Sequence, residues 1–247
     1  MKVYHIAYEP EYRSADIHFW TACNLKCRAC YTRFEILDFG LYDDPITRIA
    51  DKSPESPPQQ FLTLSEVMAK LEGLFLERVI FIGTEPILDP EMPQLARALH
   101  QKFGCYNVLL TNGVHLGDLS DIDEVIFSIK AASPAQHLTY TGRDNHCILE
   151  NFSLLARQGI KMQAETVLIP ELIDAAEVER VAEFVAGVDP TIPLRIDAYF
   201  PVPGCPWRAA LREEVEVAAE LARRHVQKVS VLTLDMKRTG DKPLRLV

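Results

Sequence analysis

Asp16-Ile-His-Phe-Trp-Thr-Ala-Cys-Asn-Leu-Lys-Cys-Arg-Ala-Cys30 is the stretch that decides how this chain is read. Asp16 to Trp20 is short and largely apolar, and predicts a strand. It runs into three cysteines, Cys23, Cys27 and Cys30, spaced C-x3-C-x2-C on one loop. A structural zinc site closes with four ligands. A conventional four-iron electron-transfer cluster also takes four cysteines. Three thiolates with no obvious fourth predict a four-iron cluster with one iron open to another ligand. A zinc knuckle or reduced core thiols are the competing readings, but the nearest extra donors, His18 and Cys105, lack zinc-like spacing.

Outward from this loop, strands and helices alternate. Strands are predicted at Arg78–Ile82, Tyr106–Leu110, Glu124–Ile129, Met162–Ile169, Pro193–Tyr199 and Val229–Leu234. Helices are predicted near 64–75, 90–103, 145–158, 175–187 and 209–226, with a short helical turn before residue 124 and another helix leading out of the cysteine loop. Thr63-Leu-Ser-Glu66 has the capping-box pattern. Near-continuous apolar strands between amphipathic helices predict a parallel sheet with helices packed outside it. Six or seven strands fall short of the eight of a closed barrel, so the expected fold class is α/β, a partial (β/α)6 TIM-like barrel. Residues 1–247 read as one domain with a core from about 15 to 234. The proline-bearing stretch 38–60 reads as a surface loop or insertion.

Composition narrows the function. The 247 residues are 48% hydrophobic and 25% charged, ordinary for a globular protein, with a formal net charge of −9. That balance argues against a general nucleic-acid or membrane-surface binder. No apolar run approaches a membrane span, and Met1 to Pro10 has no signal-peptide core. Six cysteines are too sparse for a disulfide scaffold, so a reducing, cytoplasmic setting is expected.

In parallel α/β folds ligands sit at the carboxyl ends of the strands. The cysteine loop, Gly83-Thr-Glu-Pro86, Thr111-Asn-Gly113 and Ser128-Ile-Lys130 all fall there. One scaffold of this kind turns all four toward a single cleft.

With these residues the sequence resembles the radical S-adenosylmethionine (SAM) superfamily, and within it the activating enzymes of glycyl-radical enzymes, such as pyruvate formate-lyase activating enzyme. The resemblance spans roughly residues 15 to 210. It includes Thr141-Gly-Arg-Asp-Asn145, Val167-Leu-Ile-Pro170 and the stretch Tyr199 to Trp207. It implies that Cys23, Cys27 and Cys30 hold a [4Fe–4S] cluster, and that SAM chelates the open iron and is cleaved to a 5′-deoxyadenosyl radical that abstracts hydrogen. It implies that Glu85 accepts from the methionine ammonium and Lys130 pairs with its carboxylate. Gly83 allows close approach, and Thr111 and Asn112 line the ribose or methionine side. Thr84, Ser128 and Val167 complete the expected SAM contacts. The implied partners are SAM, an electron donor such as flavodoxin or ferredoxin, and a glycyl-radical-type protein substrate, with no nucleic acid and no membrane. Two readings stay beside this one: a radical SAM enzyme acting on a small molecule, cofactor precursor or other protein residue, and a non-catalytic iron–sulfur module.

The sequence departs from the pattern in places. Ala29 stands where an aromatic precedes the third cysteine, and Tyr31 follows it instead. Thr84 replaces the second glycine of Gly-Gly-Glu-Pro, and Leu110 and Ser128 replace aspartates. Phe200 replaces a histidine, and Glu165 replaces an arginine. Cys105 and Cys147 read as incidental thiols, while Cys205 lies near the expected cleft mouth. His137, Tyr140 and His146 read as surface loop residues, with contact to the substrate as the alternative.

Overall fold

The computed structural model describes residues 1–50 and 52–247. The strands are β1 (Val3–Glu9), β2 (Ser14–Phe19), β3 (Arg78–Gly83), β4 (Tyr106–Thr111), β5 (Glu124–Ser128), β6 (Met162–Leu168), β7 (Leu194–Ala198), β8 (Val229–Leu232) and β9 (Leu244–Arg245). The helices are α1 (Pro45–Ala50), α2 (Leu64–Leu71), α3 (Met92–Phe103), α4 (Pro134–Thr141), α5 (His146–Arg157), α6 (Ala175–Val188) and α7 (Arg212–Ala222). The strands form one open sheet in the order β8-β7-β6-β5-β4-β3-β2-β1-β9. From β2 to β8 every neighbouring pair is parallel, whereas β1 pairs antiparallel with both β2 and β9. The expected partial barrel is therefore the observed architecture, extended by an antiparallel edge.

The helices bury one stripe each against the sheet. Met92, Leu95, Ala96 and Leu99 do so on α3, Val178, Val181, Ala182 and Val185 on α6, and Val215, Ala218, Ala219 and Ala222 on α7. All three sets repeat the i, i+3, i+4, i+7 spacing of an amphipathic helix facing a core. The capping box at Thr63 forms as the sequence predicts: the Thr63 hydroxyl accepts from the Glu66 amide, and Glu66 accepts from the Thr63 amide. Between α5 and the sheet, Phe127 and Phe152 meet edge-on at 5.2 Å.

Several expectations give way. The cysteine loop leads into a single 3-10 turn, Tyr31–Arg33, and not into an α-helix. The Arg33 guanidinium folds back onto the carbonyls of Cys27 and Arg28. No helix forms between Thr111 and Glu124. Residues 134–141 are helical, and His137 and Tyr140 are buried in that helix rather than placed on a surface loop; His146 is exposed. The predicted helices 64–75 and 209–226 are shorter, Leu64–Leu71 and Arg212–Ala222. The stretch 38–60 carries α1 and buries Ile49, with Asp51 outside the described residues. Among the described residues, no helix is long and apolar enough to cross a membrane.

Candidate active site

The carboxyl ends of the parallel strands surround a cleft of about 250 Å³. All the sequence-predicted residues line it: Cys23, Cys27 and Cys30; Gly83, Thr84 and Glu85; Thr111 and Asn112; Ser128 and Lys130; and Val167. They come from the loops or ends of β2, β3, β4, β5 and β6, so the convergence expected of the topology is met.

The cysteine loop is braced from outside the cleft. The amides of Lys26 and Arg28 donate to the carbonyls of Thr141 and Tyr140 at 2.9 and 3.0 Å. The Cys205 thiol donates to the Arg28 carbonyl at 3.2 Å, so Cys205 lies against the loop rather than lining the cleft. Cys105 sits at the far end of β4, bonded to Asn107. The three loop thiols are not in disulfides. Burial pushes the Cys27 thiol up to about 11 and raises Cys23 as well; the neighbouring cysteines add to this and Lys130 opposes it. Metal loading must displace those protons.

Gly83 lets β3 approach this loop. Its φ is +121°, and a Cβ there would lie 2.2 Å from the Phe19 carbonyl oxygen. The Thr84 hydroxyl then accepts from the Thr21 amide at 2.8 Å and lies 3.0 Å from the Thr21 carbonyl, while the Thr21 hydroxyl donates to the Glu85 carbonyl at 2.7 Å. Thr84, where the sequence pattern has glycine, thus ties the stem of the cysteine loop to the strand carrying Glu85.

Glu85 is almost fully buried and makes no helix cap. One carboxylate oxygen accepts from the Thr111 hydroxyl at 2.6 Å and the other from the Asn112 amide at 2.9 Å. Burial raises its pKa to about 7 against the pull of these donors and of Lys130. The turn that supplies them rests on Phe127: Gly113 has φ +72°, and a Cβ there would overlap the Phe127 ring. The Asn112 amide group reaches Asn24 at 2.8 Å and the Cys23 sulfur at 3.6 Å. Thr111 and Asn112 therefore hold Glu85 and the cysteine loop in one arrangement.

The far wall carries a network the sequence analysis did not find. Ser128 donates to Glu165 at 2.9 Å, Arg195 pairs with Glu165, and the Arg195 fork meets both oxygens of Asp197 at 2.9 and 3.1 Å. Ser128, Glu165 and Arg195 are successive cross-strand partners on β5, β6 and β7. Burial, then the Glu165 charge, pushes Asp197 up to about 6. Two charged residues alternating in an otherwise apolar strand, Arg195 and Asp197, were the available signal. At the rim, Tyr31 packs on Phe39 at 4.5 Å and on Phe200 at 6.0 Å. Ala29 is buried, so the loop's aromatic surface comes from the residue after the third cysteine.

The family model of the radical SAM superfamily matches residues 17–185. The chain belongs to the radical SAM superfamily. A candidate glycyl-radical enzyme activating enzyme of Methanocaldococcus jannaschii is 28% identical over 226 residues, covering 87% of this chain and 79% of the relative. A domain of a pyruvate-formate lyase-activating enzyme from Bacteroides vulgatus superposes with TM-score 0.53 at 17% identity, over 63% of this chain and 98% of that one. A radical SAM methyltransferase from Sphaerobacter thermophilus gives TM-score 0.63 at 14% identity, over 96% of this chain and 72% of that one. These two structures bear on the fold alone.

Radical SAM enzymes imply a four-iron cluster, and the donor set suits one. Among the described residues no three His, Cys, Asp or Glu side chains could hold a single metal ion. A lone zinc ion draws its sulfur ligands to about 2.3 Å, whereas a cluster holds each thiolate at a separate corner. Three free thiols lining one cleft are the donor type such a cluster takes.

Proposed function

We propose that this radical SAM enzyme cleaves SAM reductively and directs the resulting radical at a hydrogen atom of a protein backbone, a glycine in a glycyl-radical-type partner. The observation that carries the reading is the convergence of three free thiols, one buried carboxylate and one lysine on a single cleft. The loaded cluster supplies an electron and an open iron, and SAM supplies the 5′-deoxyadenosyl group.

The chain's own residues bind, orient and exclude water. Cys23, Cys27 and Cys30 hold the cluster. Lys130 balances the methionine carboxylate, and its charge already acts on Cys27 and Glu85. Glu85 accepts from the methionine ammonium, held in place by Thr111 and Asn112. A cation there favours the ionised carboxylate that burial alone disfavours. Gly83 and Thr84 set the approach of the backbone. Tyr31, Phe39 and Phe200 offer the adenine an aromatic seat, with Ser128 and Val167 on the opposite side. The sheet is open between β8 and β9, which leaves room for a loop of a protein substrate. The name of the Methanocaldococcus relative points the same way. The enzyme acts as one domain in the cytoplasm, where a flavodoxin or ferredoxin supplies electrons.

Reconstitution with iron and sulfide, followed by SAM and dithionite, tests the reading. The expected products are 5′-deoxyadenosine and methionine, with a glycyl radical detected by electron paramagnetic resonance when the partner is present. A preparation with verified cluster content that leaves SAM intact would overturn it.

A further inference from the structure

The cysteine loop has two faces. Leu25, Cys27 and Ala29 line the cleft, while Lys26 and Arg28, which alternate with them, do not and are exposed. Arg33 and Arg143 are exposed beside them, Arg143 brought there by the two backbone bonds that lace residues 26 and 28 to 140 and 141. Among the described residues, none of these four cations has a carboxylate within 4 Å. Residues 22–34 contain no acidic residue. Two acids lie nearby: Glu55, whose amide donates to the Arg33 carbonyl at 2.7 Å, pairs its carboxylate with Lys52, and the Asp144 carboxylate accepts from the His146 amide at 3.1 Å at the start of α5. On a chain of net charge −9, a run of unpaired cations stands out against its surroundings. Arg28 is also fixed, its guanidinium lying 4.8 Å over the Trp207 ring.

We infer that this outer, basic face of the cysteine loop is the docking surface for a small acidic one-electron carrier protein. The inference rests on the proposed reductive cleavage of SAM. When SAM and substrate fill the cleft, the inner face is closed to a carrier. The outer face is then the short way to the cluster, since only the loop itself separates it from Cys27. One electron leaves the carrier's reduced flavin and is accepted at the cluster, and no atom is transferred. Complementary charge of this kind steers encounter and sets orientation. The four cations are too few, on too acidic a chain, for the extended basic footprint of a nucleic-acid surface.

The test uses the cluster-loaded enzyme and a purified flavodoxin. Binding of oxidised flavodoxin is measured by biolayer interferometry at low and at physiological ionic strength. The triple variant Lys26→Glu, Arg28→Glu, Arg143→Glu should bind about 10- to 100-fold more weakly at low salt, with a flattened salt dependence. Its dithionite-driven SAM cleavage should match the parent. Arg33 is left intact because it braces the loop. The pair Arg157→Glu, Lys228→Glu, exposed at the opposite ends of the strands, should change neither quantity. If iron analysis shows that the triple variant loads poorly, Arg143→Glu alone, outside the loop, carries the test, with an expected weakening of about 3- to 10-fold. Unchanged flavodoxin binding in these variants, or a loss confined to the control pair, overturns the inference. So does unchanged flavodoxin binding with a loss of radical transfer to the protein partner, which would make this the substrate's surface. Failure of the parent enzyme to cleave SAM with dithionite strikes the functional reading instead.

Discussion

Replacing Glu85 with glutamine removes a charge and keeps a shape, and the structure sets the size of the effect. Folded, the Glu85 carboxyl titrates near 7, because burial outweighs its two hydrogen bonds; its ordinary value is 4.5. The folded chain therefore holds this proton over a pH window in which the unfolded chain has lost it. Stability from this group is full below about 4.5 and is lost as pH rises toward 7. At about 1.36 kcal/mol per pH unit, the loss is about 3 kcal/mol. Glutamine has no proton to lose. Its carbonyl oxygen can accept from the Asn112 amide while its NH2 donates to Thr111, whose hydroxyl turns to accept. Glu85→Gln should therefore remove most of this slope, leaving the cluster-free variant about 2–3 kcal/mol more stable than the parent at pH 8 once both are matched at pH 4.5. The assay is urea unfolding of both proteins across pH 4.5 to 8 under reducing conditions, read by circular dichroism. The same variant should bind SAM more weakly, having lost its charge toward the ammonium. Parallel stability profiles for parent and variant would refute the assignment of Glu85 as a buried, proton-holding carboxyl.

Other substitutions probe separate parts of the site. Gly83→Ala places a Cβ 2.2 Å from the Phe19 carbonyl oxygen at a φ that L-residues rarely adopt; a loss of at least about 4 kcal/mol is expected, visible as a collapse of the thermal unfolding midpoint. Thr84→Val keeps the branched shape but strips the Thr21 amide of its acceptor, which should cost about 1–3 kcal/mol in denaturant unfolding. Tyr31→Leu opens the aromatic seat and should raise the SAM dissociation constant of the loaded enzyme about tenfold or more, given about 1–3 kcal/mol for stacking a base on an aromatic ring. Isothermal titration checks this, and an unchanged affinity would place the adenine elsewhere.

The elements that the sequence showed well are those whose apolar pattern is local. Strands β3 to β5 are short, mostly apolar runs, β6 and β7 alternate buried apolar residues with polar or charged ones, and α3, α6 and α7 each carry the four-residue stripe that faces the sheet. Strand β1 was not read from the sequence although it buries Val3, Ile6, Ala7 and Tyr8; its buried residues also include His5, fully enclosed and hydrogen-bonded to the Val247 carbonyl. Strand β9 is two residues long and exists because the β1 edge is there to pair with. Helix α4 begins at a proline and buries His137 and Thr141, so its inner face does not look apolar. That the candidate site residues would meet at one cleft was legible because they lie at or just beyond strand ends. The Ser128–Glu165–Arg195 chain was not, because it depends on register between neighbouring strands, which spacing along the chain does not encode.

Three of the places where the sequence departs from the activase pattern, Thr84, Ala29 and Glu165, are met within the fold by a neighbour. Thr84 stands at a glycine position, and its hydroxyl bonds Thr21 and fastens the stem of the cysteine loop. Ala29 removes an aromatic from inside the loop, and Tyr31 supplies one against Phe39 and Phe200, the latter standing where a histidine was expected. Glu165 puts an acid where a base was expected on β6, and Arg195 restores the base on the adjoining strand at the paired register position. A lone reversal of charge in a half-buried wall would leave an uncompensated ion, at a cost of several kcal/mol. The pair avoids that cost and moves the positive group one strand along, beside Asp197. The cleft surface on this side is thus formed by Ser128, Glu165 and Asp197, with Arg195 paired to both carboxylates from outside the lining.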